Sequence, residues 1–264
     1  MKKRSWWIYI LIFIVSQLAA VGITMGATLI QGREAVSSET VAIGALCTAN
    51  VLAILLWLLL RPKDLTWQRT MSGIRSPKGM RTKLSFGLAL PVIMLVNLIQ
   101  EAFFPDIPDL VGDELMKTII FNPAGLLTVA LIGPVCEELL FRGGVQHCIQ
   151  QRYASQGPGV AIGLSAVLFC AIHMNPAQMP AAFILGIVLG FAYWWTDSLI
   201  APVCIHVFNN SFACALGMIS PDDNFIQFLG GTQGAVITAV VCVFWLYLMV
   251  YLIRREMRKS TEIG

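Results

Sequence analysis

The chain has 264 residues, 57% of them hydrophobic and only 12% charged, with a mean hydropathy of +0.74. A soluble domain of ordinary composition carries about twice that charge, so an all-soluble fold is excluded and an integral membrane protein expected. The net charge of +3 decides little, because in such chains the placement of charge matters more than its sum. Seven cysteines stand at 47, 136, 148, 170, 204, 214 and 242 with no CxxC spacing, which argues against a disulfide framework or a structural zinc knot.

The order of segments predicts a single all-α membrane domain, a polytopic bundle of about eight transmembrane helices. Met1 to Arg4 is basic, and the apolar run from Trp6 to Ile30 is too long for a signal-peptide core, so it reads as an uncleaved first helix. A second helix covers about Val41 to Leu60. Arg61, Lys63, Arg69, Arg75, Lys78, Arg81 and Lys83 then form a basic connection around Trp67, expected on the cytoplasmic lipid face. A third helix spans about Leu84 to Ile99. Glu101, Asp106, Asp109, Asp113 and Glu114, with Pro105 and Pro108 among them, break it and suggest a short interfacial piece on the outer side.

Helix four starts near Pro123, a good first-turn residue, and runs through Glu137 and Glu138 towards Arg142 and Arg152. Helices five to eight are expected at about Gly159–His173, Met179–Trp195, Leu199–Met218 and Thr232–Ile253, followed by a basic tail. Gly186 and Gly190 make a small-xxx-small step for close helix approach. The segments 1–117, 118–219 and 220–264 then hold the N-terminal helices, the motif-bearing core, and the last helix with its tail. With the amino terminus inside, cytoplasmic segments hold 15 of the 18 Lys and Arg, all but Arg33, Lys117 and Arg142. Both termini are therefore expected in the cytoplasm.

Ionised groups in hydrocarbon are costly and usually face an interior or a watery cavity, where they do something. Glu138 and Arg142 are four apart and can pair along a helix; Glu137, about 100° away, has no partner within a turn. His147 reads as a surface residue at the cytoplasmic boundary. His173 shares a face with Phe169, and His206 with Asn210. Glu137, His173, His206 and Asn210 allow two chemistries. In one, Glu137 is a general base for a water held with His173, while His206 and Asn210 donate to an oxyanion. In the other, Glu137, His173 and His206 hold zinc. No HExxH is present and an amide is a poor zinc ligand, which favours the metal-free version. Cys136 lies in apolar surroundings unsuited to a thiolate nucleophile.

Glu137-Glu138-x-x-x-Arg142, Phe169-x-x-x-His173 and His206-x-x-x-Asn210, on successive helices, resemble the three motifs of the CAAX-protease and bacteriocin-processing (CPBP, Abi) family of intramembrane endopeptidases. Pro134, Phe141-Arg142-Gly143 and the stretch from Thr196 to Pro202 agree with it, and the resemblance covers about residues 120 to 215. It implies that Glu137 and His173 activate water, that His206 and Asn210 stabilise the oxyanion, and that Glu138, Arg142 and Phe169 support the site. Family members have been described both as metalloproteases and as glutamate-dependent enzymes, so no cofactor is expected as a requirement and zinc stays open.

The implied partners are the lipid bilayer and a hydrophobic or lipidated peptide or membrane-protein substrate, with no nucleic acid. The compact chain and the lack of a presequence lean towards a bacterial inner membrane. Two rivals differ in class. A proton-coupled transporter predicts an inverted repeat, which the sequence does not show; a non-catalytic scaffold or immunity partner would keep the fold without turnover. At about 1.5 Å per residue, His173 and His206 share a depth only if helix five starts below the bilayer or helices five and six form a shallow hairpin, which Pro176 and Pro180 favour.

Overall fold

The computed structural model describes residues 5–31, 38–65, 79–110, 112–221 and 223–262. The expected features at Met1 to Arg4, Arg33, Trp67, Arg69, Arg75 and Lys78 lie outside these residues. Helices follow one another as α1 (Trp7–Gln31), α2 (Ser38–Leu60), α3 (Gly79–Phe103), α4 (Asp113–Phe121), α5 (Pro123–Arg152), α6 (Pro158–His173), α7 (Met179–Thr196), α8 (Ile200–Ile219), α9 (Phe225–Phe228) and α10 (Gly231–Glu262). No strand occurs among the described residues. Seven of the helices, α1, α2, α3, α5, α7, α8 and α10, are long and apolar enough to cross a membrane, so the protein is a multi-pass integral membrane protein. The eighth expected span, α6, is apolar but only 16 residues long, about 24 Å against a hydrocarbon core of about 30 Å.

Several boundaries differ from the sequence reading: α3 begins at Gly79, so Arg81 and Lys83 stand in its first turns rather than in the connection before it. Glu101 belongs to the last turn of α3, where its carboxylate accepts from the backbone N–H of Phe225 and of Ile226, both at 2.9 Å, at the start of α9. A carboxylate is favourable at a helix N-terminus, where backbone donors point outward unpaired. The basic tail is helical as far as Glu262, because nothing in Arg254 to Lys259 breaks the ladder that α10 begins.

The chain divides into two compact units, each assembled from separated stretches: Met1–Leu65, Val111–Ala161 and His206–Pro221 in the first, Thr66–Leu110, Ile162–Ile205 and Asp222–Gly264 in the second. In the first unit, Asn122 caps α5 by accepting from Ala124 N at 2.9 Å and Gly125 N at 3.3 Å, with Pro123 in the first turn. Gly125 is required there, since a Cβ would lie 2.2 Å from the Ile119 carbonyl oxygen at the end of α4. Gly144 faces the ring of Tyr9, whose hydroxyl donates to the Leu60 carbonyl at 3.0 Å and ties α1 to the end of α2. In the second unit, Ala89 and Ile93 of α3 pack with Leu185, Val188, Leu189 and Ala192 of α7 and with Ala201 and Ile205. Gly186 lets α7 approach α6, its missing Cβ falling 3.1 Å from the Ala166 Cα.

Candidate active site

The helix that carries the two acids is not uniform. Within α5, Thr128–Ile132 and Phe141–Gln146 are π-helical, and the α-helical turns Gly133–Leu140 between them hold Glu137 and Glu138. Wide turns of this kind are rare and concentrate at functional sites. Pro134 explains the first. It has no N–H, so the carbonyls four and five residues back, those of Ala130 and Val129, lose a ladder donor. Side chains from α8 take its place: Asn210 Nδ2 donates to the Val129 oxygen at 3.1 Å and Ser211 Oγ to the Ala130 oxygen at 3.5 Å. Asn209 Nδ2 in turn donates to Asn210 Oδ1 at 3.0 Å. One Asn210 amide hydrogen is therefore committed to the fold, and the second has no partner among the described residues.

The expected pair is present: Arg142 Nη1 donates to Glu138 Oε1 at 3.1 Å, and both side chains are fully buried. The sequence did not reveal that His206 joins it. The imidazole Nδ1 lies 2.8 Å from the same Glu138 oxygen, a contact across 68 residues. A carboxylate accepts, so Nδ1 carries the hydrogen, and the ring is fixed with Nε2 turned towards Glu137. Nε2 lies 3.8 Å from Glu137 Oε2, too far for a direct hydrogen bond but within reach of one shared water. Glu137 is 23% exposed at its side chain, yet its Oε2 is buried with no hydrogen-bond partner. A buried carboxylate oxygen without a donor is costly and calls for one. Arg142, Glu138, His206 and Glu137 thus form a relay in which three groups are held by packing and hydrogen bonds and the fourth faces partly open space.

His173 stands in the second unit, at the end of α6. Its Nδ1 contacts the Phe169 carbonyl at 2.8 Å, and its ring meets the buried Phe169 ring edge-on at 4.9 Å between centroids. A carbonyl only accepts, so this imidazole also carries hydrogen on Nδ1, which leaves Nε2 as its second ring nitrogen. Glu137, Glu138, Arg142 and His206 are brought together within the first unit, where Asn210 bonds instead to the Val129 oxygen two turns before the acids; Phe169 and His173 are brought together within the second.

His147 differs from its expected place. It is buried, 3% exposed, with Nε2 at 2.8 Å from Asp64 Oδ2 and 2.9 Å from Gln151 Nε2, while Gln151 also donates to Asp64. Asp64 sits 83 residues away in the connection after α2, so spacing along one helix gave no sign of it. The signal that was available elsewhere is Pro134: a proline inside a helix frees carbonyls, and the run Asn209-Asn210-Ser211 is the polar cluster able to satisfy them.

Zinc at a catalytic site asks for three protein ligands. His206 Nε2 and Glu137 Oε2 supply two, and among the described residues no three His, Cys, Asp or Glu side chains are gathered to hold a metal.

Seven apolar spans with a buried carboxylate–imidazole cluster inside one of the units define the class: a multi-pass membrane protein with ionisable side chains gathered among its helices. Residues 120–212 match the family described as "Type II CAAX prenyl endopeptidase Rce1-like", so the resemblance read from the three motifs is borne out over that stretch. The chain is also similar to the "Membrane-embedded CAAX protease MroQ" of Staphylococcus aureus (strain USA300), 26% identical over 146 residues, 53% of this chain and 58% of that protein. The match therefore spans little more than half the length of this curated relative. No solved structure matches.

Proposed function

We propose that the protein is a membrane-embedded endopeptidase that hydrolyses a peptide bond in a hydrophobic or lipidated substrate, with water activated by Glu137. The observation that carries this reading is the relay from Arg142 through Glu138 and His206 to the unpartnered buried oxygen of Glu137. A water between Glu137 Oε2 and His206 Nε2 gives its proton to the carboxylate as its oxygen attacks the scissile carbonyl carbon. The carbonyl becomes an oxyanion; Glu137 then passes the proton to the departing amide nitrogen as the C–N bond breaks. For Nε2 to donate to the oxyanion while Nδ1 donates to Glu138, His206 must enter the cycle already protonated, and both hydrogens then stay on the ring throughout. The remaining amide hydrogen of Asn210 is a second donor, strong in a medium of low dielectric. The family resemblance adds His173 as the second group holding the water. Zinc remains the alternative that chelation decides.

The test is cleavage of a fluorogenic membrane-peptide library by the purified protein in nanodiscs, wild type beside Glu137→Gln, with and without a strong chelator. Turnover that requires Glu137 and survives chelation is the expected result. Loss on chelation with rescue by zinc would move His206 and Glu137 to ligand duty, and full turnover by Glu137→Gln would end the assignment.

A further inference from the structure

His173 closes α6, and the chain turns at once through residues 174–178 before α7 begins. Met174 adopts φ +46°, a left-handed conformation that a long side chain seldom takes and that persists only where the surroundings impose it. The next residue shows what imposes it. Asn175 is 2% exposed, and its amide is used at both ends: Nδ2 donates to Asp109 Oδ1 at 2.8 Å, and Oδ1 accepts from Leu110 N at 3.2 Å. Its carbonyl accepts from Gln178 N at 2.9 Å and Met179 N at 3.0 Å, which starts α7. Two further bonds close the same junction, Ala177 N to the Pro108 oxygen at 3.2 Å and Gln100 Nε2 to the Ala177 oxygen at 2.5 Å.

We propose that Asp109 and Asn175 form a clasp that positions the His173 imidazole, so that both are positioning residues for the reaction proposed above; the catalytic part of this inference rests on that reading. The chemistry of the junction argues for it. A helix of 16 residues ends short of a full hydrocarbon thickness, and irregular backbone at such depth stands only where its polar groups are paired within protein. The segment from Pro108 to Leu110 supplies that pairing. The acidic stretch between α3 and α4, read from the sequence as an interfacial piece, therefore has a defined partner in the second unit. His173 is two residues from the amide that Asp109 holds. Its ring orientation depends on the Phe169 carbonyl, one turn back, and on the end of α6 not unwinding into the turn. With the clasp open, Met174 is free to leave the left-handed region, the last turn of α6 frays, and Nδ1 loses its fixed acceptor.

The chain contains three histidines, so histidine-selective 15N labelling of the full protein in nanodiscs gives three ring systems. The His173 signals are assigned by their loss in His173→Gln. The expected result is a single Nδ1–H tautomer for His173 in the wild type, and tautomer averaging in Asp109→Ala and Asn175→Ala with the His147 and His206 signals unmoved. Asp109→Asn, which keeps the accepting oxygen, should hold the His173 signals in place. In peptide cleavage the two alanine variants should lose on the order of 10- to 100-fold in kcat with KM nearly constant, as expected for a misplaced group. Unchanged His173 signals in folded Asp109→Ala overturn the inference whether or not the protein cleaves peptides, and this exposed residue carries the test if Asn175→Ala fails to fold. Altered signals in a protein whose wild type cleaves nothing would keep the clasp and remove the protease reading.

Discussion

Glu137 and Glu138 differ by one position and by everything around them. Glu138 has no exposure and shares its Oε1 between Arg142 and His206; Oε2 of each acid is buried without a partner, but Glu137 alone is part-exposed, at 23%, and joins no ion pair at hydrogen-bond distance. Their substitutions should separate accordingly. Glu137→Gln is isosteric and touches no structural bond, so the thermal midpoint in detergent should stay within about a degree or two, the size of a change below 1 kcal/mol, while peptide cleavage disappears. Glu138→Ala strands a buried guanidinium and an imidazole, a loss of about 3–5 kcal/mol when one member of a buried pair is removed. A clear drop in the midpoint, measured before any activity, is the expected outcome; a midpoint equal to wild type would show that the relay contributes nothing to the fold. The i, i+4 spacing made the Glu138 and Arg142 pair legible in the sequence. The His206 link was not, since no local rule joins residues 68 apart.

At the scale of the helix, α5 shows what sequence periodicity sees and what it misses. Its start at Pro123 behind the Asn122 cap was readable from local chemistry, and its two wide turns were not, because they depend on donors delivered by α8. Asn210→Ala leaves the Val129 oxygen without its side-chain donor and should cost about 1–3 kcal/mol. The same change made in a Pro134→Ala background, where the backbone regains an N–H, should cost less, and a double-mutant cycle on unfolding midpoints reads the difference. Additivity of the two would sink the link drawn here between the proline and the asparagine. At the far end of α5, burial works against ionisation of Asp64, but the hydrogen bond and charge of His147, with a contribution from Gln151, hold its carboxyl below the usual carboxylate range. A depressed pKa in the folded state means stability that is present above the unfolded value of about 3.9 and lost as pH falls through the folded value. Asp64 is half-exposed, so the contribution should be about 1 kcal/mol or less. Wild type should exceed Asp64→Asn in thermal midpoint near pH 5, the margin closing below about pH 4; a margin that widened in acid would have the wrong sign.

For the whole molecule, the membrane class followed from composition alone, and the helix spans from hydropathy, because both rest on the cost of exposing polar backbone to lipid. The division into two units built from interleaved stretches had no counterpart in the sequence pattern, since every long helix is apolar on nearly all sides. Hydropathy also could not decide whether α6 crosses, and this sets the parity of the topology. Seven crossings put the termini on opposite sides of the membrane, and eight put them on the same side. The distribution of Lys and Arg favours eight with both ends in the cytoplasm. Fusions at the carboxyl terminus should therefore give a fluorescent cytoplasmic reporter and an inactive periplasmic phosphatase. The reverse pattern would mean that α6 turns back before reaching the far surface.

The two π-helical stretches of α5 give this helix a broken phase. Each wide turn accommodates about one residue more than an α-turn, and one residue is worth about 100° of rotation. The acids at 137 and 138 are thereby indexed independently of Pro123–Leu127 on one side and His147–Arg152 on the other. Deleting one residue from Thr128–Ile132 would let that turn relax into ordinary helix with the flanking segments still in phase, whereas a deletion in the α-helical residues beside it would rotate one segment against the other by about 100°. A chain with the α-helical deletion would keep its hydropathy and every motif residue, and still aim Glu137 and the Asn122 cap in incompatible directions. In this helix, then, the spacing between motif and cap carries information that neither the motif nor the cap contains.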